Sequence, residues 1–155
     1  KEIVKCGKDP GYFMKKYLKI QHPTRGLISF DTYPFQDDCV NDFNDHRFNI
    51  ILKSRQLGIS TLSAAYAAWL AIFYKDKNIL VIATKLAVAM NFIKKVKVAL
   101  RNVPPWLILP ELTTSNKQSV EFSKQYSDIE CRIQMYGGFF TNSHLRRAHC
   151  MTVHG

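Results

Sequence analysis

Phe48 to Thr61 reads FNIILKSRQLGIST, and how this stretch is parsed decides the fold. FNIIL, Phe48 to Leu52, is short, apolar and β-rich, which predicts a buried strand. KSRQLGIS, Lys53 to Ser60, is polar with one glycine, which predicts a loop. TLSAAYAAWLAIFY, Thr61 to Tyr74, is Ala-rich and apolar almost all round, which predicts a helix buried on several sides.

Downstream, KDKN reads as a turn and ILVIA, Ile79 to Ala83, as a second buried strand. Leu86 to Arg101 places Leu86, Ala89, Met90, Ile93, Val96 and Leu100 at i, i+3, i+4 spacing, the pattern of an amphipathic helix. Pro104 and Pro105 follow it as helix breakers. Strand, loop, helix, strand, helix is the order of a βαβ unit, so an α/β fold with a parallel sheet is expected. A right-handed crossover would then set the loop before Thr61 at the carboxyl edge of the sheet, where ligands of such folds bind. Upstream, GYFMKKYLKIQ (11–21) has a short helix-like pattern, the next fifteen residues read as loop with short extended pieces, and 37–44 reads as a short helix. Past Pro110, strands are expected at 119–123 and 129–135.

A glycine-bearing loop between a strand and a helix is the context of a phosphate cradle, because N–H groups at a helix N-terminus attract anions. Lys53 to Ser60 has the length of GxxxxGK[ST], but only Gly58 and Ser60 match; Lys53 stands at the first Gly and Ile59 at the usual Lys. Spacing alone slightly favours an ordinary βα loop with one glycine. Lys53 and Arg55 bring cations to the loop, and Ser60, with Thr61 beside it, stands where a Mg²⁺-binding hydroxyl belongs.

Charge points the same way. The 155 residues carry 22 Lys+Arg against 12 Asp+Glu, a net +10, and such an excess suits a polyanionic partner. Between His46 and Pro110 lie ten Lys/Arg and a single acid, Asp76. Lys94, Lys95, Lys97 and Arg101 give one helix a basic face, suited to a DNA backbone and equally to solvent. Trp69 and Trp106 read as core and turn packing. Cys6, Cys39, Cys131 and Cys150 contain no CxxC pair and read as reduced thiols. With His144, His149 and His154, the last two cysteines fit no common zinc spacing. The longest apolar run, Ala64 to Tyr74, is too short for a bilayer.

SRQLG after an apolar strand, followed by a small hydroxyl residue, resembles the Walker A segment of the large terminase subunit of T-even-type tailed phages, the DNA-packaging ATPase. YFMKKYLKIQHPTRGLISFDTYPFQ resembles the stretch leading to that family's adenine-binding Gln. FYKDKNILVIATK and VALRNVPPWLILPELTTSNKQSVEFS resemble the segments that follow, in order, from Gly11 to Ser123. The resemblance implies a P-loop NTPase, a RecA/helicase-like parallel sheet flanked by helices, left incomplete at its C-terminal end. It implies ATP and Mg²⁺ as cofactors. Gln36 would recognise adenine with Tyr33 or Phe35 near the base. Ser54, Arg55, Gln56, Leu57, Gly58, Ile59 and Ser60 would wrap the phosphates, Thr61 adjoining. Arg55 would sense phosphate, and Ser60 would ligate Mg²⁺. Lys53 would replace the missing Walker lysine. Thr84 and Lys85 would couple nucleotide state to movement, and Lys94, Lys97 and Arg101 would face double-stranded DNA. The implied partners are a portal protein, a small terminase subunit and further copies in a ring. The implied setting is the host cytoplasm, with no membrane.

Three segments are therefore expected: a lead-in with the adenine segment, 1–45; a partial ATPase core, 46–123; and a divergent or frame-shifted tail, 124–155. The family's next strand ends in Asp-Glu, and after Ser123 no such pair follows an apolar strand; Asp128 and Glu130 are simpler as residues of an alternating strand. With no complete catalytic set and no counterpart of the family's nuclease domain, the chain is expected to hydrolyse little ATP alone and to cleave no DNA. A non-catalytic remnant that binds nucleotide or DNA weakly, and a helicase-type ATPase of another family, are the alternatives.

Overall fold

The computed structural model describes residues 1–22, 24–74, 78–83, 86–107, 111–115, 119–124, 127–136 and 148–153, with side chains described as far as Leu107. Two short helices open the chain, α1 (Glu2–Lys8) and α2 (Pro10–Tyr17). Asp9 separates them: its carboxylate accepts from the Tyr12 N–H at 2.8 Å, and Pro10 sits at the first helical position, where no N–H is needed. The helix-like pattern expected to run to Gln21 stops at Tyr17. Its last residues form β1 (Lys19–His22), paired antiparallel with β2 (Gly26–Ser29) in a hairpin whose turn uses Gly26 at φ +73°. Helix α3 (Pro34–Asp45) follows, longer at both ends than expected.

Helix α4 (Ile59–Phe73) is the centre of the helical layer. Eleven of its fifteen residues are buried, on every side. Its alanines make this possible, since small side chains let α2, α3 and α5 (Leu86–Arg101) lie against one rod. The large residues lock it. Trp69 is buried and its indole N–H donates to the Cys6 carbonyl at 2.8 Å, tying α4 to α1. Phe73 meets Phe13 of α2 edge-on, centroids 5.3 Å apart. The Tyr66 hydroxyl donates to the Phe43 carbonyl at 3.1 Å, and burial first of all pushes its pKa up to about 12, so it stays a neutral donor. Trp69 is core packing, as its apolar helix implied. Trp106 is half exposed and packs edge-on against Tyr17 at 5.7 Å.

The second layer is a five-stranded mixed sheet. Strand β3 (Asn78–Ala83) lies between β6 (Ser127–Tyr136) and β7 (Ala148–Val153), parallel to both. Strands β4 (Glu111–Ser115) and β5 (Ser119–Lys124) extend the β6 side by antiparallel pairing. The expected strands at 79–83, 119–123 and 129–135 thus correspond to β3, β5 and β6, and the expected helix at 86–101 to α5.

Phe48 to Leu52 is different. It forms no strand, and Phe48, Ile50 and Leu52 are 82%, 101% and 101% exposed. A strand exists by pairing, whatever its propensity. Both edges of β3, the strand that a short crossover through α4 reaches, are taken by β6 and β7. The βαβ unit expected around the loop is therefore present in its loop, helix and second strand, without its first strand.

One charged cluster braces the N-terminal helices. The Glu2 carboxylate accepts from Lys16 Nζ and Tyr12 Oη at 2.7 Å each and from Tyr17 Oη at 2.8 Å. Those bonds, the Lys16 one foremost, hold its pKa at about 2 against an ordinary 4.5. A carboxyl lowered by folding stabilises the native state above its unfolded pKa and loses that contribution as pH falls through the folded one. Wild type is therefore expected to lose stability between about pH 4.5 and pH 2, and Glu2→Gln to flatten that decline. Thermal melts at pH 5 and pH 2.5 check this; equal losses in both proteins would exclude the cluster as a source of acid sensitivity.

Candidate functional site

The loop from Lys53 to Gly58 enters α4 through Gly58, which takes φ +74°, ψ 2° and acts as N-cap. That left-handed conformation costs an ordinary residue about 1–2 kcal/mol and costs glycine little. Gln56 lies in the same region at φ +65°, the one non-glycine residue to do so among those described. Two left-handed residues in three turn the chain sharply into the helix. The Gly58 carbonyl accepts from the N–H groups of Thr61 and Leu62 at 2.9 and 3.0 Å. No side chain caps α4. The N–H groups of Ile59 and Ser60, on the first helical turn, have no carbonyl a turn earlier in the helix.

The cations are at the mouth of this turn. Lys53, Ser54, Arg55, Gln56, Leu57 and Gly58 are exposed, and Lys53 Nζ donates to the Ser54 carbonyl at 3.4 Å. Ser60 and Thr61 are half-buried at the helix start. Ile59 is 8% exposed and belongs to the core. Its side chain is therefore committed to packing, and only its backbone N–H is left for the loop. A lysine in its place would have to bury four methylenes and a charge, which explains an apolar residue here.

Gln36 is buried, 3% exposed, and is the one buried polar or charged side chain among the described residues. Its Oε1 accepts from the Tyr33 N–H at 3.1 Å and its Nε2 donates to the Leu57 carbonyl at 3.0 Å. The first bond is the glutamine half of a capping box at the start of α3. The second crosses to the loop. Tyr33 and Phe35 stack beside it, rings 5.7 Å apart and 7° from parallel, 64% and 40% exposed, and so form a flat aromatic platform. Tyr33 and the loop are thus joined through the Gln36 side chain. The tie between Gln36 and Leu57 gave no signal in the sequence, because 21 residues separate them.

The remaining candidates lie on other elements or outside the described residues. Thr84 and Lys85 lie outside them, as do the side chains of Cys131, His149 and Cys150 and residues His144 and His154. On α5, Lys94, Lys95 and Arg101 are exposed and Lys97 is half-buried. Burial, then the nearby Arg101, push the Lys97 ammonium below its ordinary pKa, so the face is crowded with positive charge. Asp128 and Glu130 lie near the start of β6. Because β6 runs parallel to β3, that end is opposite the carboxyl edge where a nucleotide-handling acid pair would be needed. Among the described residues no group of three or more His, Cys, Asp or Glu is placed to hold a metal, and no helix is long and apolar enough to cross a membrane.

Comparison with protein-family models finds none that matches the chain.

Proposed function

We propose that this chain is an ATP-binding domain of a DNA-packaging motor of the large-terminase type, a P-loop α/β unit that binds Mg²⁺-ATP at Lys53–Thr61. One observation carries the reading: a glycine in the left-handed region opens α4 without a side-chain cap, and exposed Lys53 and Arg55 stand in the loop before it. Uncapped N–H groups, the positive end of a helix and two exposed cations form a binding place for polyphosphate. In this reading Lys53 supplies the charge that Ile59 lacks and Arg55 contacts the terminal phosphate; Ser60 would hold Mg²⁺, which would supply neutralising charge at the phosphates. The Tyr33–Phe35 platform takes the base. Lys94, Lys97 and Arg101 meet the DNA backbone without reading sequence. Portal protein, small terminase subunit, further copies and the host cytoplasm enter this proposal through the resemblance alone.

Turnover by these residues is a separate matter. Hydrolysis needs a carboxylate to orient the attacking water, and the acids of β6 lie at the wrong end of their strand. That favours the second reading, a domain that binds nucleotide without hydrolysing it. Titration calorimetry with Mg²⁺ and a non-hydrolysable ATP analogue tests the site. Lys53→Ala is expected to weaken binding about tenfold, the worth of one exposed charge-assisted hydrogen bond. Unchanged affinity would remove Lys53 from the site, and no binding by wild type would remove the site. A kcat near 1 s⁻¹, the low end of typical enzymes, would overturn the non-catalytic reading.

A further inference from the structure

We propose that Gln36 is a positioning residue, a brace that sets the shape of the 53–58 loop and the start of α4, and that it does not read the base. Both ends of its amide are engaged within the chain: Oε1 holds the Tyr33 N–H, and Nε2 holds the Leu57 carbonyl. The orientation of the amide is fixed by these partners, since a flipped amide would set NH₂ against an N–H and oxygen against a carbonyl. At 3% exposure the side chain presents almost no surface to a ligand.

The second bond falls at a sensitive place. Leu57 lies between Gln56 at φ +65° and Gly58 at φ +74°. Fixing its carbonyl fixes the peptide plane that joins Leu57 to the helix cap. A β-carbon on Gly58 would stand 2.8 Å from Gln36 Nε2, so the brace and the glycine are fitted to one another. Residues in left-handed backbone persist only when their surroundings over-determine them. Here the determining contact comes from α3, whose own first turn the same side chain caps. The loop and α3 therefore move as one unit, and the aromatic platform of Tyr33 and Phe35 is carried with them.

The binding arm of the test rests on the triphosphate reading; the exchange arm does not. Gln36→Glu keeps an acceptor for Tyr33 and sets a carboxylate oxygen against the Leu57 carbonyl. Gln36→Met keeps the shape and removes both bonds. In each variant, amide hydrogen exchange at Thr61 and Leu62, whose N–H groups the Gly58 carbonyl holds, is expected to quicken about tenfold, the worth of one hydrogen bond, with α5 unchanged. Affinities for Mg²⁺-ATP, Mg²⁺-GTP and inorganic tripolyphosphate are expected to fall together by about five- to tenfold, with the ATP-to-GTP ratio held. Unchanged exchange at Thr61 and Leu62 would overturn the brace. So would a collapse of the ATP-to-GTP ratio with tripolyphosphate affinity intact, which would make Gln36 a base reader. A wild-type chain that binds no triphosphate would sink the nucleotide reading, and exchange alone would then decide on the brace.

Discussion

Replacing Trp69 by alanine is expected to destabilise the protein by about 3–5 kcal/mol, a large part of the roughly 5–15 kcal/mol that holds a typical domain folded. Three losses add. The indole is buried at 1% exposure, so its removal leaves a cavity that alanine neighbours are too small to refill. Its ring contacts with Tyr66 at 5.3 Å and Tyr74 at 5.1 Å disappear. The Cys6 carbonyl loses its donor in an apolar setting. Trp69→Phe separates these terms, since it keeps most of the volume and loses the N–H, and it should cost about 1–3 kcal/mol. At roughly 2–4 °C per kcal/mol, the alanine variant should melt about 6–20 °C below wild type. A shift under about 2 °C would show that α1 is not anchored to α4 through this residue.

Gly58→Ala is the second large effect, and it falls on both folding and binding. The left-handed backbone costs alanine about 1–2 kcal/mol, and relieving the 2.8 Å approach to Gln36 Nε2 breaks a hydrogen bond worth about 1 kcal/mol more. A total near 2–3 kcal/mol is expected, with the first turn of α4 frayed and polyphosphate affinity reduced at least tenfold. A double-mutant cycle isolates the steric part. In a Gln36→Ala background the β-carbon has room, so Gly58→Ala should cost about 1 kcal/mol less than in wild type. Strict additivity of the two substitutions would show that they do not meet.

The helices and the buried strand were legible because each carries its own periodicity. Leu86 to Arg101 shows one apolar stripe, and the observed helix has those ends. Ile79 to Ala83 is a run of buried apolar residues, and it became the central parallel strand. Lys19 to Gln21 misled because Leu18, Lys19 and Ile20 continue the mix of apolar residues and lysines past Tyr17; the hairpin partner that turns these residues into a strand begins at Gly26.

Phe48 to Leu52 and Gln36 mark the boundary between what composition decides and what assembly decides. By itself the sequence determined a basic chain, an Ala-rich helix apolar all round, and a glycine in the loop that precedes it. These are local properties, set by side-chain size, charge and backbone sterics within a few residues. Only the tertiary structure decided that the apolar 48–52 segment goes unpaired, because strand formation depends on which neighbouring edges are free. Only the tertiary structure bound the Gln36 amide to the Leu57 carbonyl 21 residues away. Hydrogen bonds of that kind follow the packing of α3 against α4, and no spacing along the chain announces them.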